Sequence, residues 1–222
     1  AEVVDALTAA FGFRFPEGAG ALLLVETDGP EPGMDAEVAG LEAALRDAGA
    51  LELRVTADAA ERADIWKARK QAFGALGRIT RHYDTQDGVI PRTRLPEMLR
   101  HVQRVARDHG LRVANVFHAG DGNLHPCLLF DEDDEATHRR VLAAGAEILR
   151  HCVELGGSLT GEHGVGSDKR EWMALMFDGV DLEIMATVRH GLDPSGLCNP
   201  GKVLPLGGGC RELKRPLRQV SS

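Results

Sequence analysis

Cysteine is sparse in this sequence. The four that occur, Cys127, Cys152, Cys198 and Cys210, are widely spaced and form no C-x-x-C pair. A disulfide framework belongs to short secreted chains, so it is not expected in 222 residues. A reducing cytoplasm is the expected compartment. Long apolar runs are missing too. The longest, Ala19–Val25 and Val141–Ile148, fall short of the roughly 20 residues that span a bilayer and read as a strand and a helix. No segment reads as a signal peptide, and Ala1 opens inside a helical pattern without an initiating Met, as an excised fragment would. An excess of basic charge is also lacking. The formal net charge of -8 argues against nucleic acid, whose phosphates call for a basic face.

What is present is the composition of a soluble globular protein, long enough for one large domain or two small ones. Apolar periodicity and Gly/Pro punctuation give the order of elements. Strands are expected at Ala21–Thr27 and Leu51–Thr56, with a helix over Asp35–Ala48 between them. A long helix follows over Asp58–Leu76, capped by Asp58 and stopped by Gly77. A strand over Thr80–Ile90 ends at Pro91, and Thr93 caps a helix running to His109 with Pro96 in its first turn.

Arg112–His118 and Leu124–Phe130 are strands around the tight Ala-Gly-Asp-Gly-Asn turn and must run antiparallel. A helix over Asp134–Leu155 ends at Gly156-Gly157, and Ser158–Gly161 is short and strand-like. Helical segments at Ser167–Phe177 and Leu182–His190 lead into a Pro/Gly-rich end. The fold class implied is α+β: an antiparallel sheet covered by helices, followed by a helical C-terminal segment. Residues 206–222, with Gly207-Gly208-Gly209, read as a loose tail after a domain covering 1–205.

Chemistry concentrates in two glycine-rich stretches. In VFHAGDGNLHP (116–126), a hairpin turning over Ala119–Leu124 makes His118 and His125 cross-strand neighbours, close enough for two imidazoles to share a metal ion. The alternative is two solvent-facing histidines beside a loop. In SLTGEHGVG (158–166), Glu162-His163 lies at a strand end between glycines. Glu162 completes a two-His, one-carboxylate set with open positions for substrate, and His163 stays free as a base. The alternative here is a helix N-terminus whose dipole Glu162 complements. Arg69, in WKARK, is a candidate grip for a substrate carboxylate or else a solvated helix charge. Trp66 reads as core. The remaining histidines, His82, His101, His109, His138, His151 and His190, read as surface or structural.

At these motifs the sequence resembles the C-terminal domain of FAD-linked oxidases of the vanillyl-alcohol-oxidase type. That group contains glycolate oxidase flavoprotein subunits, D-lactate dehydrogenases and D-2-hydroxyglutarate dehydrogenases. The segments that carry the resemblance are WKARKQAFGALGRI, DGVIPRTRLPEML, RVANVFHAGDGNLHP, GGSLTGEHGVGSDK and LDPSGLCNPGKVLP, with ALLLVETDG at the start of the same domain. DGVIPR and RVANVFHAGDGN look most like the glycolate oxidase branch.

The resemblance implies a ferredoxin-like cap sheet and a divalent metal (zinc, manganese or iron) held by His118, His125 and Glu162. It implies His163 as the base beside the flavin, Arg69 on the substrate carboxylate and Asn123 in the same pocket. Asn199 and Lys202 would pack back toward the flavin domain. The implied activity is oxidation of a small 2-hydroxy acid with hydride passing to FAD. The family's N-terminal FAD domain, with its Gly-rich pyrophosphate loop, has no counterpart here, so the fragment alone is expected to be inactive. Gly207-Gly208-Gly209 follows no strand and opens no helix, so it is no substitute. Cys198 stands where an aliphatic residue is expected. Implied partners are the chain's own FAD domain and the iron-sulfur and second flavin-type subunits of a glycolate oxidase complex, in the cytoplasm or peripheral at the inner membrane. Two other readings stay open: a non-catalytic cap module, and a metal-dependent hydrolase, although Glu162-His163 is not an H-E-x-x-H pair.

Overall fold

The computed structural model describes residues 2–11 and 14–205. It divides at Ala1–His82 and Tyr83–Ser222 into two compact units, and the expected tail from 206 lies outside the described residues.

In the first unit, α1 (Glu2–Phe11) packs on α3 (Ala59–Leu76), and α2 (Met34–Asp47) lies between them in sequence. Val4, Ala6 and Leu7 of α1 are buried, as are Ala72, Ala75 and Leu76 of α3. Asp58 caps α3 as expected, its side chain accepting from the Glu61 amide. The strands expected at Ala21–Thr27 and Leu51–Thr56 do not form: both segments lack a ladder partner among the described residues. Leu22, Leu23, Val25, Leu51 and Val55 are exposed there. Alternating apolar residues make a strand only when a neighbouring strand takes their backbone hydrogen bonds and a core takes their side chains. Trp66, expected in the core, is half-buried instead and donates from Nε1 to Glu26 at 3.1 Å.

The second unit is α+β. The run expected as one strand over Thr80–Ile90 is two, β1 (His82–Thr85) and β2 (Gly88–Val89), broken at Gln86-Asp87. β3 (Arg112–Asn115), β4 (Asn123–Leu124) and β5 (Pro126–Phe130) complete a three-stranded sheet in the order β1-β5-β3 and a two-stranded one pairing β2 with β4. β3 and β5 are antiparallel with Asn115 opposite Pro126. Ser158–Gly161 contributes only a bridge from Ser158 to Val89.

Two helices supply the apolar layer against these strands. α4 (Leu95–Asp108) follows a 3-10 turn over Arg92–Arg94, so Arg94 rather than Thr93 stands at its N-cap. It buries Met98, Val102, Val105 and Ala106 along one face. α5 (Glu135–Glu154), capped by Asp134, buries Val141, Ala144, Ile148 and Cys152 at the matching spacing. Together with Ile90, Leu111, Leu124 and Leu128 they form one aliphatic core. The expected helix at Ser167–Phe177 is a 3-10 segment over Arg170–Leu175. The last helix, α6 (Gly179–Leu192), starts at a capping box of Asp178 and Asp181. No helix among the described residues is long and apolar enough to cross a membrane.

Candidate active site

The turn after β3 is tighter than the expected hairpin. The His118 carbonyl accepts from the Asp121 amide at 3.2 Å, and His118 bridges Asn123 rather than His125. Gly122, at φ 70, belongs to both turn and sheet. Its carbonyl accepts from the Ile90 amide at 3.0 Å, and a Cβ there would run into the Ile90 carbonyl oxygen. Only glycine fits that position. In the resulting register His125 lies opposite Val116, so His118 and His125 are diagonal neighbours on one face. Their rings still meet, edge to face, with centroids 5.7 Å apart.

Glu162 reaches this pair from the loop after Ser158. Its Oε1 lies 2.8 Å from His125 Nε2, 3.8 Å from His118 Nε2 and 3.9 Å from His163 Nε2. The ligand atoms of His118, His125 and Glu162 all lie within 4.8 Å of one another. His125 is fully buried, whereas His118, Glu162 and His163 are about half exposed. The cluster therefore has a fixed floor and an open mouth. The ring of His163 stacks on that of His125, with centroids 4.9 Å apart.

Asn123 is buried beside the cluster with its side-chain Oδ1 unpartnered. A Cβ on Gly161 would come within 2.5 Å of that oxygen, so the glycine lets the amide and the Glu162 loop close together. Asn199 and Lys202 line a different hollow of about 440 Å³, with Gly166, Arg189, Asp193 and Val203. Arg189 shapes it by donating to the carbonyls of Cys198 and Asn199 at 2.5 and 2.7 Å. Arg69 belongs to α3 of the first unit, half-buried. The sequence reading missed Asp87, whose carboxylate lies beneath the cluster, fully buried, with His125 Nδ1 3.9 Å from Oδ1. The one available signal was an Asp-Gly pair inside the run expected as a strand.

A second triad, Asp87, His125 and His163, also falls within metal-binding distance. Donor chemistry separates the two. Asp87 already accepts from Thr160, from the amides of Gly161, Glu162 and His163, and from Lys169, so its charge is committed to the loop and to that cation. Burial drives its carboxyl toward protonation, but those hydrogen bonds and the Lys169 charge outweigh burial and hold its pKa well below the carboxylate range. His118, His125 and Glu162 turn their ligand atoms toward one another, and two imidazoles with one carboxylate suit a divalent ion of the zinc, manganese or iron kind. The Gln86 carbonyl faces His125 Nδ1 at 3.4 Å, an acceptor that leaves the Nε2 lone pair toward the cluster.

The family model for FAD linked oxidases, C-terminal domain, matches residues 1–203. The chain belongs to that family. It is 43% identical over 199 residues to glycolate oxidase subunit GlcD of Escherichia coli (strain K12), covering 90% of this chain and 40% of that protein. It is 30% identical over 187 residues to the probable mitochondrial D-lactate dehydrogenase of Danio rerio, covering 83% of this chain and 37% of that one. Among solved structures, a 4-ethylphenol oxidase from Gulosibacter chungangensis matches with a TM-score of 0.56 at 18% identity, over 80% of this chain and 38% of that one. That likeness concerns the fold alone. The chain thus spans about two fifths of the length of the curated relatives it matches.

Proposed function

We propose that this chain is the substrate- and metal-binding half of a flavin-dependent 2-hydroxy-acid oxidoreductase of the glycolate or D-lactate type. The reading is carried by the convergence of His118, His125 and Glu162, with His163 laid against His125, in a member of the FAD-linked oxidase family. His118, His125 and Glu162 hold the divalent cation. The bound cation supplies Lewis acidity toward the substrate hydroxyl, and the flavin, carried mainly by a domain beyond the matched region, supplies the hydride acceptor.

His163, in its neutral form, takes the hydroxyl proton as general base while the α-hydrogen leaves as hydride, giving a 2-oxo acid. One face of its ring rests on His125, which fixes its direction, and its exposed side is open to substrate. Arg69 grips the substrate carboxylate through two parallel hydrogen bonds. Asn123 lines the pocket with an unused buried acceptor. Asn199 and Lys202 face the flavin-binding part. By the same reading the partners are that FAD domain and the iron-sulfur and second flavin-type subunits of a glycolate oxidase complex, in the cytoplasm or at the surface of the inner membrane.

The decisive experiment uses the complete flavoprotein, with metal measured by elemental analysis and flavin bleaching followed anaerobically with glycolate and with D-lactate. The His118→Ala, His125→Ala double variant is expected to lose both metal and bleaching. Undiminished metal in that variant would overturn the ligand assignment, and bleaching by neither acid would overturn the substrate class.

A further inference from the structure

The segment that presents Glu162 and His163 is exposed from Gly161 to Gly164, and its first three residues take no part in a backbone ladder. A loop of this kind cannot by itself hold two side chains to the fraction of an ångström that a preorganised site requires. Their amides nonetheless have a common acceptor. Asp87 Oδ2 accepts from Gly161 N and His163 N, each at 3.0 Å, and Oδ1 accepts from Glu162 N at 3.2 Å. Thr160 Oγ1 donates to Oδ2 at 2.5 Å, and Lys169 Nζ lies 3.2 Å from the same oxygen and 3.1 Å from the Asp87 carbonyl.

Asp87 is itself anchored. It sits at the break between β1 and β2, directly before Gly88, whose backbone lies so close to α5 that a Cβ would come within 2.5 Å of Cys152 Sγ. The carboxylate is thus joined to the aliphatic core on one side and to the catalytic loop on the other. A buried charge is tolerated only when paired and fully hydrogen-bonded, and Lys169 with the four other donors meets that condition.

We propose that Asp87, neutralised by Lys169, is the positioning residue of this site: it gathers the amides of Gly161, Glu162 and His163 and so sets the direction from which Glu162 and His163 reach the cluster. The metal arm of the test rests on the reading above; the loop geometry stands apart from it. Asparagine at this position has one acceptor oxygen and turns an NH2 group toward at least one amide donor, that of Glu162 if the oxygen keeps the Oδ2 place, and it strands the Lys169 charge, so the whole cradle is weakened.

The test compares wild type, Asp87→Asn, Lys169→Arg, Thr160→Val and His118→Ala by amide hydrogen exchange and by Mn²⁺ affinity. In the wild type the amides of 161–163 are expected to exchange slowly despite their exposure. In Asp87→Asn they exchange at least about tenfold faster while the α4 and β5 amides keep their protection, and Mn²⁺ affinity falls by about 10- to 100-fold. Lys169→Arg, which keeps the cation, stays close to wild type. Slow exchange and wild-type Mn²⁺ affinity in Asp87→Asn would overturn the proposal. Should that variant not fold, Thr160→Val decides: faster exchange at 161–163 supports the proposal and unchanged exchange overturns it. If wild type and His118→Ala bind Mn²⁺ equally, the metal reading fails, and the exchange data alone judge Asp87.

Discussion

The imidazole of His163 lies flat against that of His125, with ring centroids 4.9 Å apart and planes 5° from parallel. One ring is buried in the floor of the site and the other stands half exposed at its mouth. The buried ring orients the exposed one, and the proposed reading gives them separate tasks: His125 as a metal ligand through Nε2, and His163 as the base. His163→Ala in the flavin-loaded protein is therefore expected to slow flavin reduction by about 10²-fold or more. Its metal content should stay near that of wild type. Rapid-mixing absorbance gives the rate and elemental analysis the metal. Loss of metal in step with rate would make His163 a ligand rather than a base.

Arg69 has a different signature. A guanidinium fork meets a carboxylate with two parallel hydrogen bonds, which a lysine ammonium cannot reproduce. Arg69→Lys is expected to raise KM for the 2-hydroxy acid at least about tenfold, a loss of about 1.4 kcal/mol. Metal content and the flavin spectrum should not change. Steady-state kinetics with the complete flavoprotein check this, and an unaltered KM would remove Arg69 from the substrate site.

Much of the site was legible because glycine marks the places where the backbone needs a positive φ or a close approach. The turn at Ala119–Gly122 and the glycines around Glu162-His163 announced two close approaches, and the chain makes both. The register was not legible. Moving the partner of His118 from His125 to Asn123 depends on Gly122 bonding Ile90, a contact with a residue more than thirty positions earlier. Asp87 was hidden for a similar reason, since one carboxylate among the polar residues of Thr80–Ile90 shows its role only once the loop at 160–163 folds over it. The helices α4 and α5 followed from their apolar spacing, which needs no partner to be read. Ala21–Thr27 and Leu51–Thr56 failed as strands because alternation signals a capacity to pair and not the presence of a mate.

Thiol reactivity separates the cysteines by burial. Cys127 and Cys152 are fully buried, and burial pushes their thiols up to about 11 and about 12, so almost no thiolate forms near neutral pH. Cys198 is exposed. Iodoacetamide at pH 8 should label Cys198 in the native protein and leave Cys127 and Cys152 unmodified until denaturant is added. Peptide mapping by mass spectrometry reads the pattern. Native labelling of Cys152 would mean that α5 does not pack on β2 as described.

Asp87 also makes stability depend on acid. Its carboxyl is held below its unfolded-state value, near 3.9, because the Thr160 hydroxyl, the loop amides and Lys169 favour the ionised form more strongly than burial opposes it. A group whose pKa is lowered on folding stabilises the native state above the unfolded value and loses that contribution as pH falls through the folded one. The unfolding free energy of wild type should therefore exceed that of Asp87→Asn at pH 6, and the gap should narrow as pH drops below about 4. Urea unfolding followed by circular dichroism at pH 6 and pH 3 measures both. Asparagine cannot titrate, so any narrowing belongs to the carboxylate and its partners. A gap of constant size between the two pH values would show that folding does not lower the Asp87 pKa, and the five donors around it would then need another explanation.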